Sequence, residues 1–464
     1  MSRFKTIAAP MCRSVAVVSI LMLPLLSRAA DDDVTSLRTE LQALKNDYAQ
    51  RVSALEARIA RLESEPLPEA TPAPMPVANS GNAASAFNPA ISVILGGSYT
   101  DTSRDPGDWH VGGTLPGGGE VGPGERSFNL GESEITLSAN VDPWFYANLT
   151  AALTPENEVE IEEAFFRTTS LPDGFTAKGG RFFSGFGYLN EVHSHAWDFA
   201  DQPLIYQAFF GGQYQQNGLQ LKWLAPTDTF IELGAEAGNG EEFPGTRLAG
   251  NGMNGATFFA HVGGDIGNST SWRFGASWVD LKARDRGYQD TDESGMPVVN
   301  AFTGKSETWV ADAVLKWAPN GNIARQQLKI QGEYMRRKED GQLAFDTAGL
   351  NLSDVFSSDQ AGWYVQSVFQ FMPRWRVGLR YDSLDTGNTN IGLVTAGLMS
   401  ADAFPALRGV DPDRVSLMLD WNPSEFTRIR AQYDWDDARA AGANDRIFRL
   451  QYLYGIGAHG AHKY

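Results

Sequence analysis

The chain has 464 residues, a formal net charge of −18 and a single cysteine. The acidic balance argues against nucleic-acid binding, which requires a concentrated basic face, so no partner of that kind is expected. Cys12 falls within the N-terminal segment described next, and the rest of the chain has no cysteine for disulfides or thiolate metal sites. No stretch approaches 18 consecutive apolar residues, which excludes membrane-spanning helices.

Residues 1–29 have the pattern of a secretory signal peptide. Arg3, Lys5 and Arg13 form a basic start, residues 15–26 are apolar, and residues 27–29 form a small-x-small cleavage site. The alternative is a retained membrane anchor, but an apolar run of about 12 residues is too short to cross a bilayer. Export is therefore predicted, to the periplasm or to the outer membrane.

Residues 30–64 are predicted to form a coiled-coil oligomerisation segment. Apolar residues recur at steps of three and four, at Val34, Leu37, Leu41, Leu44, Tyr48, Val52, Leu55, Ile59 and Leu62. Such a narrow stripe on a lone helix favours self-association, as a homotrimer, over an amphipathic surface helix. Contact of this coiled coil with peptidoglycan is a further expectation. Residues 65–87 are rich in proline and alanine and are predicted to form a semi-extended linker.

Residues 88–464 have the pattern of an all-β transmembrane barrel. Stretches of about ten alternating apolar and polar residues are joined by short Pro- or Gly-containing turns on one side and by longer loops on the other. The pattern predicts about 16 antiparallel strands, with both barrel ends on the short-turn, periplasmic side. The predicted strands cover residues 89–101, 127–141, 144–153, 158–169, 175–184, 217–225, 229–238, 255–266, 271–283, 308–317, 325–338, 359–371, 375–385, 412–421, 425–437 and 445–456.

Two features favour the bacterial outer membrane over a soluble β-sandwich. Aromatic residues recur beside the short turns, as in an interfacial girdle contacting lipid and lipopolysaccharide: Trp144, Trp223, Trp317, Phe371, Trp375 and Trp421. The alternate polar positions carry many full charges, which a water-filled lumen tolerates and a dry sandwich core does not. In a sandwich those charges would face solvent, so that fold is the alternative.

Alternation also predicts which charges face the lumen. The earlier strands present the acidic residues Glu134, Glu158, Glu160, Glu162, Glu232 and Glu236. The later strands present the basic residues Arg273, Lys316, Lys329, Arg376, Arg380, Arg428, Arg430 and Arg449. Opposed walls of opposite sign would produce a transverse field across the pore. The alternative is that each charge pairs with a cross-strand neighbour.

The third outer loop, residues 185–216, is long and rich in aromatic residues, which predicts that it packs into the lumen and constricts the pore. Its candidate constriction residues are Glu191, His193, His195, Asp198 and Asp201. His193 and His195 lie on one side of an extended segment, and nearby carboxylates could complete a zinc-like site. The alternative is that both are ordinary loop residues. His459 and His462 form a second candidate metal pair on the opposite side, and no other cofactor is expected.

The stretch 177–190, followed by Trp197-Asp198-Phe199 and by residues 201–204, resembles phosphate-selective-type (phosphate and polyphosphate porin-like) outer-membrane porins. The resemblance implies a sixteen-stranded trimeric channel with its third loop folded inward and an N-terminal coiled coil. The chain departs from that family because it lacks the run of arginines and lysines that would form a phosphate ladder. Residues 455–464 resemble the tail of zinc-regulated outer-membrane receptor-like proteins.

The sequence contains no Gly-x-Ser-x-Gly, no His-Glu-x-x-His and no glycine-rich phosphate loop, so no enzymatic activity is expected. The predicted function is that of an outer-membrane porin, a passive diffusion channel for small hydrophilic solutes or ions. Two alternatives stay open. One is a substrate-specific uptake receptor, with zinc as the first candidate, and the other is a structural barrel that tethers the cell wall.

Overall fold

The computed structural model describes residues 89–117, 121–154, 158–246, 252–439 and 444–457, together with Gln42, Lys45 and Asn46. The chain divides into two units, Met1–Gly81 and Asn82–Tyr464. In the first unit the three described residues are helical, and Gln42 Nε2 donates to Asn46 Oδ1 at 3.4 Å. The signal peptide and the linker, and the coiled coil apart from these three residues, lie outside the described residues. No helix among the described residues combines the length and apolar character that a membrane span requires.

The second unit is one closed antiparallel sheet of seventeen segments. The segments are β1 Ala90–Thr102, β2 Ser127–Asn129, β3 Ser133–Asn140, β4 Phe145–Leu153, β5 Val159–Thr168, β6 Phe175–Phe183, β7 Gln215–Leu224, β8 Phe230–Gly238, β9 Gly255–Ile266, β10 Thr270–Thr291, β11 Pro297–Trp317, β12 Gln327–Phe345, β13 Leu352–Met372, β14 Trp375–Ile391, β15 Asp413–Ser424, β16 Thr427–Asp436 and β17 Asp445–Gly457.

These seventeen segments make sixteen strands, because β2 and β3 both pair with β1 and form a single strand of the wall interrupted at residues 130–132. β17 pairs with β1 from Ser92↔Gly457 to Thr102↔Ile447, which closes the barrel. The predicted sixteen-stranded barrel is confirmed.

The strands β10 to β14 are much longer than the sequence pattern predicted. β10 has 22 residues and β11 has 21, whereas β3 to β8 have between 8 and 10. The predicted strands stop close to where the outward positions become charged, as at Lys282, Lys305 and Lys338, because the apolar alternation is lost there. In β10 the register also shifts between Ala283 and Arg286. This part of the wall therefore rises beyond the apolar belt on the long-loop side.

The outside of the barrel is apolar and the inside carries charge. On β14 Leu379 is 53% exposed and Tyr381 is 37% exposed, whereas their neighbours Arg380 and Asp382 are 1% and 0% exposed. At the short-turn end, exposed aromatic rings form a girdle; Trp375 and Trp421 are stacked with their ring centroids 6.0 Å apart. A soluble sandwich would bury its apolar face. Here the apolar face points outward and closure leaves no sheet edge, as a barrel in lipid requires.

The packed interior lies inside the barrel and is built from three inward loops. The third loop contains a 3₁₀ turn at Ser194–Ala196 and helix α1 at Leu204–Phe210, all seven of whose residues are buried. The first loop contributes Trp109 and Val111 to the same apolar cluster. The seventh loop begins with α2 at Gly392–Thr395 and packs Phe404 and its neighbours against the tall wall. The first and seventh loops lie toward the long-loop side, whereas the third loop extends to the short-turn end, where it contacts Lys329, Arg376 and Arg428.

The apolar outer face generates a test of the fold. Leu379→Arg places a charge near the middle of the lipid-facing belt and is expected to lower the free energy of unfolding by about 2–4 kcal/mol. Lys338→Glu, on the outward face of β12 beyond the belt, is the matched control and should change it by about 0.5 kcal/mol or less. Denaturant unfolding in lipid vesicles measures both. Equal effects of the two substitutions would contradict the assigned belt.

Candidate functional site

The neck of the third loop is closed by hydrogen bonds between its two ends. Asn190 Nδ2 donates to the carbonyl oxygens of Ser184 (2.7 Å) and Tyr214 (2.8 Å), and Tyr214 N donates to Asn190 Oδ1 at 2.8 Å. The wall residue Glu236 accepts from Ser184 Oγ at 2.5 Å and from Gly185 N at 2.8 Å. These contacts turn the chain inward as it leaves β6, so the loop enters the lumen instead of extending from the barrel.

Helix α1 is held against the tall wall by buried polar groups. Tyr206 Oη donates to Glu333 Oε2 at 2.8 Å, and Leu204 N donates to Asp382 Oδ1 at 2.9 Å. At the other end of the helix, Arg337 Nη1 donates to the carbonyl oxygens of Ala208 (3.2 Å) and Phe209 (3.3 Å). The Arg337 charge thus lies where the helix has unpaired carbonyls, which is a favourable position for a cation.

Two acidic residues of the third loop pair with the basic side of the wall. Asp198 accepts from Lys329 Nζ at 2.9 Å and from Arg376 Nη1 at 3.0 Å. Asp201 is contacted by three arginines, Arg380 at 2.8 Å, Arg414 at 2.5 Å and Arg449 at 3.5 Å. Arg428 donates to the carbonyl oxygens of His195 and Trp197, and Arg430 also donates to that of Trp197.

These cations determine the charge state of both aspartates. Burial raises the pKa of Asp198, but Lys329 and Arg376 outweigh burial and hold that pKa below its usual value. Burial likewise raises the pKa of Asp201, and the nearby arginines reverse the effect. Both carboxylates are therefore ionised at neutral pH, and their pairing is lost only as the pH falls through these lowered values.

The histidines of the third loop face the acidic side of the wall. His193 Nδ1 lies 3.2 Å from Glu162 Oε2, and its Nε2 lies 3.1 Å from Glu163 Oε2. His195 Nδ1 lies 2.7 Å from Glu134 Oε1. Burial lowers the pKa of His193, but its hydrogen bonds to Glu134 and to these β5 carboxylates outweigh burial and raise that pKa well above its usual value.

The structure separates the predicted loop residues. The sequence predicted that nearby carboxylates of the loop would lie beside the two histidines. This is wrong for Asp198 and Asp201, which pair with cations of the basic wall. Glu191 binds Lys222 at 3.3 Å and Lys178 at 3.6 Å instead. The carboxylates beside the imidazoles come from the strands, because a loop inside a charged cylinder places each side chain against the wall of opposite sign. His459 and His462 lie outside the described residues.

The predicted wall charges contact the loop and one another, so the structure corresponds to the pairing alternative. Glu232 pairs with His261 and Lys222, Arg273 with Asp312, and Lys316 lies over the Tyr188 ring. Arg430 pairs with Asp420 at 2.8 Å and Arg380 with Asp382 at 2.9 Å. The basic side is not purely basic, because it also contains as partners the aspartates Asp382, Asp420, Asp434 and Asp436.

Two residues of the acidic side were missed by the sequence prediction. Glu163 points inward together with Glu162 because the β4–β5 register shifts between Thr150 and Ala151, and strict alternation assigns only one of two adjacent residues to the lumen. Glu132 lies in the interruption between β2 and β3 and accepts from Ser194 Oγ at 2.6 Å. The sequence did contain a signal for Glu132: it lies two positions before Glu134, and alternate residues of a strand share a face.

A polar cavity of about 610 Å³ remains between the third loop and the wall formed by β17, β1, β2 and β5. Carboxylates line it on one side, at Glu125, Glu132, Glu158 and Glu160, and Arg449 lines it on the other. A second cavity of about 60 Å³ opens at the short-turn end beside Asn422 and Glu425. His195 and Leu453 line both cavities and therefore lie between them.

A closed sixteen-stranded barrel with an apolar outer belt, short turns at one end and inward loops at the other is a bacterial outer-membrane β-barrel. No protein-family model matches the chain. The chain is 30% identical over 406 residues to an "Uncharacterized protein" of Aquifex aeolicus, covering 82% of this chain and 80% of that protein. The chain belongs to the same family as that Aquifex protein.

Solved structures share the fold. OmpTΔL8, a loop-deletion mutant of an outer membrane protein of Vibrio cholerae, is 12% identical with a TM-score of 0.50, covering 80% of this chain and 99% of its own. Pseudomonas putida OprB is 14% identical with a TM-score of 0.47, covering 80% and 94%. The outer membrane channel DcaP of Acinetobacter baumannii is 10% identical with a TM-score of 0.47, covering 80% and 97%. The first likeness, with its TM-score of 0.50, supports the fold. At identities of 14% or less, none of the three indicates a function.

The anchoring of the third loop generates a prediction. Asp201→Asn removes the charge shared by three arginines and is expected to destabilise loop docking by about 2 kcal/mol, so that amide exchange in residues 199–210 accelerates about 30-fold. The unmodified loop should stay docked at pH 5, because the pKa of Asp201 is lowered. Hydrogen-exchange mass spectrometry measures both.

Asp402→Asn is the matched control. Asp402 pairs with Arg408 at 2.5 Å, but the two side chains are 69% and 54% exposed, so its loss should cost less than about 1 kcal/mol and leave the third loop unchanged. Similar exchange in the two variants would mean that Asp201 does not anchor the loop.

Proposed function

We propose that this barrel is a passive outer-membrane channel that admits small hydrophilic solutes or ions to the periplasm. The two cavities beside the third loop support the proposal. The 610 Å³ cavity on the long-loop side and the smaller cavity on the short-turn side share His195 and Leu453 as lining residues, so the proposed solute route runs along the β17–β1 wall past these two side chains. The proposed role is transport, not catalysis.

The residues that line the larger cavity favour cationic solutes. Five carboxylates border the larger cavity, those of Glu125, Glu132, Glu158, Glu160 and Asp201, and Arg449 is the arginine among its lining residues. Arg449 is itself paired with Asp201 and Asp434. Carboxylates in a narrow cleft with low-dielectric walls raise the local concentration of cations. We therefore propose cationic solutes as the favoured class.

A second candidate is substrate-specific uptake. Three loops pack inside the lumen, since Phe404 of the seventh loop packs against Phe345 of the wall and Gly122 of the first loop donates to Gln207 of α1 at 3.0 Å. The space that remains is comparable to a pocket for one small molecule. A general diffusion pore would leave a wider opening, so this enclosure favours selectivity.

Planar-bilayer recording tests the channel. The purified protein is expected to conduct in steps and, in asymmetric KCl, to show a reversal potential that indicates cation preference. Glu158→Gln combined with Glu160→Gln should lower the ratio of cation to anion permeability at least about twofold, because two of the five lining carboxylates are removed.

Glu307→Gln is the control, since Glu307 lies on the outward face of β11 and pairs with Lys305. It should leave the reversal potential unchanged. A protein without conductance would overturn the channel proposal. Anion preference would overturn the assignment of cationic solutes alone.

The homotrimer and the peptidoglycan contact remain proposals that rest on the heptad pattern of residues 30–64. Deleting residues 31–64 should shift the purified protein from trimer to monomer in light scattering, or weaken its retention on cell-wall preparations, because the narrow apolar stripe loses its partner helices. Contacts with lipid and lipopolysaccharide should be unaffected. If neither the oligomeric state nor cell-wall retention changes, this segment is not the oligomerisation device.

A further inference from the structure

Two imidazoles and a carboxylate converge where the third loop meets the acidic wall. One donor atom from each of Glu134, His193 and His195 lies within 4.8 Å of the other two. His193 Nδ1 is 3.4 Å from Glu134 Oε2, and His195 Nδ1 is 2.7 Å from Glu134 Oε1. Glu162 Oε2 is a fourth donor, 3.2 Å from His193 Nδ1. The loop thus supplies two nitrogen donors and the strands β3 and β5 supply two oxygen donors.

The charges at this point do not balance. Carboxylates from Glu134, Glu162 and Glu163 contact the imidazoles directly, and Glu132 contacts Ser194 between them. The three carboxylates that contact the imidazoles outnumber the two imidazoles, so the cluster has more acidic than basic groups. Glu134 is 3% exposed, and its Oε2 contacts His193 Nδ1 at 3.4 Å. A buried excess of negative charge is costly unless a cation compensates it.

The spacing of the donors suits a tetrahedral metal ion. Zinc binds histidine nitrogen and carboxylate oxygen at about 2.0–2.2 Å, which places adjacent donors in a tetrahedron about 3.4 Å apart. The two His193 distances, 3.2 and 3.4 Å, match that spacing, and the His195–Glu134 contact of 2.7 Å has to lengthen. Imidazole nitrogen selects zinc and its neighbours over calcium and magnesium, which prefer oxygen donors only.

We propose that Glu134, His193 and His195, completed by Glu162, form a binding site for a divalent transition-metal ion of the zinc class. The His195 ring lines both cavities, so the ion reaches the site from the passage. Once bound, it joins the third loop to β3 and β5 in addition to the anchors at Asp198 and Asp201. The site requires no conduction through the barrel, so its test is independent of the channel proposal.

Calorimetric titration with zinc chloride tests the site. The protein is the full chain in detergent, stripped with a chelator and carrying His459→Ala and His462→Ala so that the tail imidazoles do not contribute. One zinc ion per chain is expected. Glu134→Gln and His195→Ala should each weaken binding at least about tenfold, because each removes one donor of the set.

His261→Ala is the matched control, because His261 is also a buried imidazole beside a carboxylate, with Nδ1 3.1 Å from Glu232 Oε1, but lacks a second histidine. It should leave zinc binding unchanged. Absence of stoichiometric zinc binding would overturn the proposal. Retention of full affinity in His195→Ala would also overturn it, and so would an equal loss in His261→Ala.

Cobalt(II) provides a readout that does not depend on the folding of any ligand variant. Cobalt added to the stripped chain lacking the tail histidines should produce the visible absorption of a tetrahedral site, and one equivalent of zinc should abolish that absorption. A spectrum of six-coordinate cobalt, or one that calcium displaces as readily as zinc, would show that the cluster is only an ion-pair network and would overturn the proposal.

Discussion

Buried charge on the inner wall has to be paired, and the third loop provides many of the partners. Arg380 and Arg414 are each 1% exposed, and an uncompensated charge at that depth costs several kcal/mol. Asp201 turns toward these cations and Asp198 toward Lys329 and Arg376. His193 and His195 turn toward the carboxylates of β3 and β5. One loop thereby spans two regions of opposite sign, and its position follows from charge complementarity as much as from the apolar packing of α1.

The position of the loop decides where open space remains inside the barrel. The loop and its helix cover the wall of β10 to β16, and the first and seventh loops add apolar contacts above it through Trp109 and Phe404. The uncovered side is the closure of the barrel, where β17 meets β1 and the interrupted β2–β3 strand. That side carries more acid than base at its surface, so the geometry that fixes the loop also determines the charge of the passage.

Much of the architecture could be predicted from local pattern, and part of the site could not. Alternation placed Glu134, Arg376 and Arg380 on the inner face, and the aromatic content of residues 185–216 indicated an inward loop. Local pattern could not predict which wall residues the loop residues contact. Glu134 and His195 are 61 positions apart, and Asp201 and Arg414 are 213 apart, so their contact depends on how the loop crosses the lumen. The tall outer part of β10 to β14 was missed because apolar alternation ends where lipid ends.

The sequence by itself determined the class of this protein, a sixteen-stranded barrel with an apolar exterior, because strand periodicity and turn chemistry act between near neighbours in the chain. The tertiary structure alone decided that the two loop histidines meet Glu134 and Glu162, that Asp201 is shared by three arginines, and that the larger cavity lies along the β17–β1 wall. A single register shift between Thr150 and Ala151 brings Glu162 and Glu163 to the same imidazole. Such proximity arises from the closure of the barrel and the path of one loop through it, which no local pattern contains.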